Sequence, residues 1–490
     1  MAALFLAGFG AKLGLILACS SPFPYGDQWP AEAIELFIPY LTNHYSPALL
    51  FQAHNDHRIV FTRLLELLLL VANGQWDSQL EMLVNAAIQC AGMAAFGGVL
   101  ASLLGRRYWP LVWVMLALDL ALPFAWENTL WGFQSQFYFL IIFSLAAIWG
   151  LGLHEANSGR WRAGAAAAIL ALFAMASGFL AAAAVAGLKL LETARRRENW
   201  RKQAVTLGFC GVMVGSGVLL VSRVPDYQHI HARSIQDFVM AFAKNLAWPW
   251  PLKPWYALFN ILPLMVLGWR FVQGRNEPTA VERLIVGMGI WAIMQASTYA
   301  YGRGAGGMAP AWRYMDVLAF LTMANCLSLL VLLEYFRKAT VRHRIWEAAF
   351  AVWLLVGAAG LWNLSSLAWR VYIPQLQREQ SGQLQLAREF LATDDPGVFA
   401  NKPGEQLPVL NVDADVWLLR HPLIRGILPT CSFKNPHKMG PLSIWTPRIL
   451  AAWKYFLAAG IGWFLLNVIQ LLRKDAPKGG NHGKHETERA

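Results

Sequence analysis

Four short stretches carry residues able to do chemistry. The first is "YGDQW" at 25–29, where Asp27 follows Gly26 and precedes Trp29 just outside an apolar run. A carboxylate beside an apolar surface has its pKa raised and can take a proton from a hydroxyl, which is general-base chemistry. The plainer alternative is a turn aspartate capping a helix that starts near Pro30. The second is "HNDHR" at 54–58. His54, Asn55, Asp56, His57 and Arg58 could hold a divalent cation such as Mg2+ or Mn2+, grip a phosphate, or simply cap the helix beginning at Ile59.

The third stretch, "WENTLWGFQSQFY" at 126–138, combines Glu127, Asn128, Gln134 and Gln136 with aromatic rings. Planar amides beside aromatic faces suit a carbohydrate, although an interfacial aromatic belt has the same composition. The fourth, "YGRGAGGMAPAWRYMD" at 301–316, places Arg303, Arg313 and Tyr314 in a glycine-rich loop. Arginines beside a membrane span on the side that carries few basic residues point to an anion, either a lipid headgroup or a bound phosphate.

Other elements must hold these stretches. The chain is 57% hydrophobic and 14% charged, with 23 Trp and 27 Phe. Its mean hydropathy of +0.39 is too high for an ordinary soluble domain. The fold class expected is an all-α polytopic membrane protein with about twelve spans, between eleven and thirteen. These are 2–20, 80–104, 108–125, 134–153, 164–176, 178–190, 203–222, 256–272, 281–300, 314–336, 345–364 and 449–472. The first twenty residues lack the charged start of a cleaved signal and are taken as the first span. The net charge of +12 is spread over short clusters between apolar runs, which argues against nucleic acid. Clusters such as Arg106-Arg107, Arg160-Arg162 and Arg195-Arg196-Arg197 fall on one side, so both termini are expected to be cytoplasmic. The five cysteines have neither CxxC nor metal-ligand spacing.

Residues 164–190 are flanked by basic clusters on both sides. A break at Ser177-Gly178 gives two arms, each about 20 Å long at ~1.5 Å per residue, whose turn must lie in protein or a wet cavity. Three regions face outward: 21–79, 223–255 and 365–448. Within the first, Ile59–Ala72 is too short to span and is expected to be an interfacial helix. The resulting organisation is a transmembrane module over 1–364, a small outward region at 365–448, a last span at 449–472 and a disordered cytoplasmic tail at 473–490. In the outward region "QREQSGQLQLAREFLA" favours helix and "LPVLNVDADVWLL" alternates as a strand would, so it is expected to be α/β-like. Only Lys12 and Asp119 are charged deep in apolar runs, and Asp119 is taken as a buried hydrogen-bonding group.

The combination of "GDQW", "HNDHR", "WENTLWGFQSQFY" and "GRGAGGMAPAWRY" resembles the GT-C superfamily of integral membrane glycosyltransferases, and within it an uncharacterised bacterial branch. The likeness extends to about residue 336. It implies an acidic catalytic base after the first span, matched by Asp27, although Gln28 stands where the class commonly has a second acid. It also implies sugar transfer from a polyprenyl-phosphate or diphosphate donor to a glycan, lipid or protein acceptor on the outer face of a bacterial inner membrane. On that reading the sugar lies across Trp29, His54, Asn55, Asp56, His57, Glu127 and Gln134. Arg303, Arg313 and Tyr314, with Arg58, meet the lipid phosphate. Three rivals share parts of the pattern: a lipid-linked oligosaccharide polymerase or ligase, a transporter or flippase, and a non-catalytic scaffold of envelope assembly. The lack of an internal repeat and of polar residues through the membrane weighs against the transporter.

Overall fold

The computed structural model describes residues 1–196, 200–222, 228–274, 276–339, 343–409, 411–434 and 438–475. Of the tail, 476–490 lie outside them, as does Arg197. The regular elements of the described residues are helices, with no β-strand among them; one bridge pairs His54 with His57.

The longer helices in chain order are α1 (Ala2–Cys19), α2 (Val60–Asn73), α3 (Ser78–Leu104), α4 (Trp109–Ala121), α5 (Ser135–Leu153), α6 (Gly159–Ala171), α7 (Leu180–Arg196), α8 (Trp200–Leu220), α9 (Ile235–Leu246), α10 (Tyr256–Gln273), α11 (Ala280–Gly302), α12 (Met315–Ala339), α13 (His343–Leu367), α14 (Ile373–Thr393), α15 (Val412–Arg420) and α16 (Trp453–Asp475). Ten described helices are long and apolar enough to cross a membrane. Large apolar side chains such as Val212, Leu262, Met265, Leu355 and Leu466 are exposed on the bundle surface, as a lipid-facing girdle requires. The chain is a multi-pass membrane protein.

Two of the twelve expected spans fall outside the ten. One is 164–176, which belongs to the 13-residue α6. The other is 281–300, because α11 dilutes its apolar run with Glu282, Arg283 and Gln295. Its side chains from Leu284 to Met288 are buried against neighbouring helices, so protein rather than lipid surrounds it and a strongly apolar sequence is not required.

The chain breaks between Ala171 and Leu180 and doubles back. Near that turn the Val60 N–H donates to the Phe173 carbonyl at 3.0 Å, while Lys189 near the far end of α7 reaches the Gly152 carbonyl at 2.7 Å. An arm of 13 residues is only about 20 Å long. Residues 57–60, which meet its tip, therefore lie within the depth of the bundle rather than on top of it. The helix that follows, α2, turns Thr62, Arg63 and Glu66 inward and leaves Leu64, Leu68 and Val71 exposed. An amphipathic helix with its polar face toward protein and its apolar face outward is suited to the membrane interface.

The expected boundary at 364/365 falls inside one continuous 50-residue helix, Arg344–Thr393, formed by α13, a π-helical turn at Ala368–Tyr372 and α14. The expected strand at 407–419 is also corrected. Asn411 caps α15 by accepting from the Asp413 and Ala414 N–H groups, and Asp413 and Asp415 lie in the first turn. These are helix-start signals that outweigh the alternation. Residues 365–448 share a core with the first loop: Phe23, Trp29, Phe37, Leu67 and Trp76 pack in one cluster with Phe390, Phe399, Leu418 and Ile427.

Deeper in the bundle, Lys12 donates to the Thr129 hydroxyl at 2.8 Å and lies within electrostatic reach of both Asp119 and Asp316. Asp119 is thus not isolated from a basic partner. Helices α1 and α16 pack through small residues, as membrane helices without a hydrophobic driving force do. A Cβ at Gly10 would collide with the backbone nitrogen of Leu457 and stand 2.8 Å from the Trp453 carbonyl. Gly10→Ala is expected to separate the two helices and lower stability by about 1–3 kcal/mol. Unfolding by SDS titration in mixed micelles checks this, and an unchanged midpoint would refute the packing.

Candidate active site

A cleft of about 390 Å³ opens where the first loop, the start of α12 and α14 meet. Asp27, Glu127 and Arg313 line it together, although they are separated by 100 and 186 residues in sequence. The C-terminal region supplies Tyr372, Gln375, Glu379, Gln383 and Glu405, while Tyr25, Trp126 and Trp131 complete the aromatic wall. None of the five from the C-terminal region was expected from the sequence.

The five residues "YGDQW" are explained by Gln28. Its side chain is fully buried. The Gln28 Oε1 accepts from the Tyr25 N–H at 3.1 Å and from the Ser78 hydroxyl at 2.9 Å, and Nε2 donates to Glu81 at 2.7 Å. A second acid here would repel Glu32 and Glu81, so an amide that both accepts and donates suits the position. Gly26 has φ +58, and a Cβ there would lie 2.6 Å from the Trp131 ring. Both constraints turn Asp27 away from the core. Its side chain caps no helix: the helical stretch Trp29–Phe37 has no side-chain cap. It makes no hydrogen bond or ion pair with the described residues, and it feels the charge of Arg313.

Arg313 is held on one side. Its backbone N–H and its Nη1 both donate to Glu127, each at 3.0 Å. Asn128 fixes the same turn by donating to the Arg313 carbonyl and to Asp316, each at 2.8 Å. Trp126, Trp312 and Tyr372 cluster beside it, with Trp312 and Tyr372 ring centroids 4.7 Å apart. Tyr25 donates from its hydroxyl to Glu379 at 2.8 Å, and burial followed by that carboxylate raises its phenol above the ordinary value of 10.

"HNDHR" forms a second cluster. His54 is buried, stacks edge-on against Phe133 and pairs with Glu35 at 3.1 Å. Arg63, from α2, also pairs with Glu35. The Ala176 N–H, at the turn between α6 and α7, donates to His57 Nδ1 at 3.4 Å, and His57 Nε2 is 3.4 Å from Asp56. Arg303 approaches the same Asp56 oxygen at 3.9 Å. Arg58 is spent on the Phe51 and Leu220 carbonyls. Asn55 has a positive φ and donates to His54. The two clusters are linked electrostatically, because His57 feels both Arg303 and Arg313.

Other expected site residues lie elsewhere. Trp29 is fully buried against Phe23 and Trp76, Gln134 is buried and accepts from Gln136, and Tyr314 stacks on Tyr299 at 4.1 Å. They support the walls rather than form them. For a divalent cation, no group of three or more His, Cys, Asp or Glu residues with suitable geometry occurs among the described residues. Beneath the cleft, burial holds the Glu32 carboxyl well above its ordinary value, with Glu81 adding to the effect, and burial followed by Glu32 does the same to Glu66.

Replacing Gln28 with Ala leaves the Tyr25 N–H and the Ser78 hydroxyl without their acceptor and takes one donor from Glu81. A loss of about 2–4 kcal/mol is expected, read from chemical unfolding. A variant as stable as the parent would show that Gln28 is not the anchor. His57 gives a pH test. Burial, the largest influence, pushes its imidazole below the ordinary 6.5; Asp56 pulls it up, and Arg303 and His54 push it down. The unfolded chain therefore takes the proton first on acidification. The stability contributed by neutral His57 is complete above pH 6.5 and is lost as pH falls through the lower folded value. Thermal midpoints in nanodiscs should fall below pH 6.5 and flatten in His57→Gln; equal slopes would refute the assignment. No family model matches this chain, and no curated protein or solved structure matches it either, so the chemistry of the cleft is argued from its own geometry.

Proposed function

We propose that this protein is a membrane glycosyltransferase of the GT-C type, moving a sugar from a polyprenyl-phosphate or diphosphate donor to a glycan, lipid or protein acceptor. The observation that carries the reading is the free Asp27 carboxylate in an aromatic-walled cleft beside the Arg313–Glu127 pair. The charge bias of the loops supports an outward-facing cleft with both termini cytoplasmic, and the resemblance to the GT-C class implies a bacterial inner membrane.

In the reaction, an acceptor hydroxyl gives its proton to an Asp27 oxygen as its own oxygen bonds to the anomeric carbon. The bond from that carbon to the phosphate oxygen breaks, and the phosphate leaves with the electron pair, inverting the anomeric centre. Charge accumulates on the departing phosphate, where a preoriented guanidinium is most effective. Arg313 is preoriented by Glu127, and Arg303 is the second cation within reach of His57.

A lipid-linked oligosaccharide ligase would use the same atoms on a longer acceptor. The transporter reading gains little from the buried Lys12, Asp119 and Asp316, because the cavity beside the two aspartates holds about 10 Å³, room for roughly one water. The test is radiolabelled transfer from a panel of polyprenyl-phosphate sugars by the parent and Asp27→Asn in nanodiscs. Loss of about 10²-fold or more in a folded variant is expected; transfer undiminished by the substitution would sink Asp27 as the base.

A further inference from the structure

The charges lining the cleft are one-sided. Asp27, Glu127, Glu379 and Glu405 face it against the lone guanidinium of Arg313, and Glu127 already balances that charge. Its hydrogen-bonding capacity leans the same way, although the Trp126 Nε1 donor in the lining has no partner among the described residues. The Tyr25 hydroxyl is spent on Glu379 Oε2, and the Gln375 amide on Glu379 Oε1. Trp131 Nε1 is spent on the Tyr25 carbonyl. Gln383 is 3% exposed; its amide nitrogen donates to the Glu405 carbonyl, while its Oε1 has no donor within the protein. A buried acceptor without a partner awaits a donor from the ligand. The rings of Tyr25, Trp126, Trp131 and Tyr372 add electron-rich faces, which attract cations further.

We infer that the sugar taken into this cleft carries a protonated amine. An ammonium brings three donors and no acceptor, the complement of a lining rich in carboxylates and with an unpartnered amide oxygen. A uronic acid or other anionic sugar would meet like charge on most sides, while a phosphate finds its positive charge at the Arg313 edge of the cleft and at Arg303 beyond it. The choice of a sugar rests on the proposed transferase reading; the choice of a cation rests on the cleft alone.

The test is equilibrium binding by intrinsic tryptophan fluorescence, using the full chain in nanodiscs. Four methyl glycosides of one stereochemistry serve as probes: amino, N-acetylamino, hydroxyl and uronate. The amino glycoside should bind about tenfold tighter than the hydroxyl one, with N-acetylation erasing the gain and added salt narrowing it. Glu405→Gln, at an exposed position, should reduce the preference to about threefold. Equal affinity for amino and hydroxyl glycosides, tighter binding of the uronate, or no saturable binding of any probe would overturn the inference. Amine-selective binding by a protein that transfers no sugar would retain it and sink the transferase. Transfer of neutral sugars without an amine preference would do the reverse. Where transfer occurs, moving the amine between donor and acceptor sugar shows which of them occupies the cleft.

Discussion

The site exists because two segments more than 300 residues apart in sequence bury their apolar faces in one another. Trp29, Phe37 and Trp76 from the first loop share a core with Phe390, Phe399, Leu418 and Ile427. Full burial of such side chains contributes about 1.5–3 kcal/mol each, enough in sum to hold the C-terminal region against the first loop. The backbone reinforces the contact: the Trp76 N–H donates to the Ile427 carbonyl at 2.7 Å. With that core closed, Glu379, Gln383 and Glu405 come over Asp27; without it the carboxylate would face open water.

Polar groups beneath that core are arranged with the same economy. Gln28, Glu32, Trp76 and Glu81 bond to one another where no water competes. Burial raises the Glu32 and Glu66 carboxyls, so neutral acids can share hydrogens with their neighbours instead of repelling them. The rigid layer that results lies directly behind a flexible-looking "GDQ" turn and fixes which of its side chains faces outward. Arg63 and Arg303 lie in the neighbouring cluster, while carboxylates outnumber Arg313 in the cleft.

The sequence made part of this legible. Asp27, Glu127 and Arg313 stand out because ionisable groups next to apolar runs are costly unless used, and all three meet in the cleft. Trp29 did not follow, since an aromatic beside a candidate base reads equally as a binding wall and as core. Glu379, Gln383 and Glu405 were illegible: α14, which carries the first two, has the composition of any amphipathic helix, Glu405 sits in a short 3-10 turn, and nothing local marks which face is covered. The four stretches with legible chemistry all lie before residue 336, whereas half of the cleft lining lies beyond it. The buried position of α11 hides similarly, because hydropathy separates lipid from water but not lipid from protein.

The uninterrupted helix from Arg344 to Thr393 runs from the membrane into the roof of the cleft. At about 1.5 Å per residue it is a rod roughly 75 Å long, and Tyr372, Gln375, Glu379 and Gln383 ride on its upper half. A transmembrane rod adjusts its tilt to the thickness of the surrounding bilayer. Such a lever would magnify a small rotation in the hydrocarbon into a larger displacement of the four side chains above Asp27, coupling bilayer thickness to the width of the cleft.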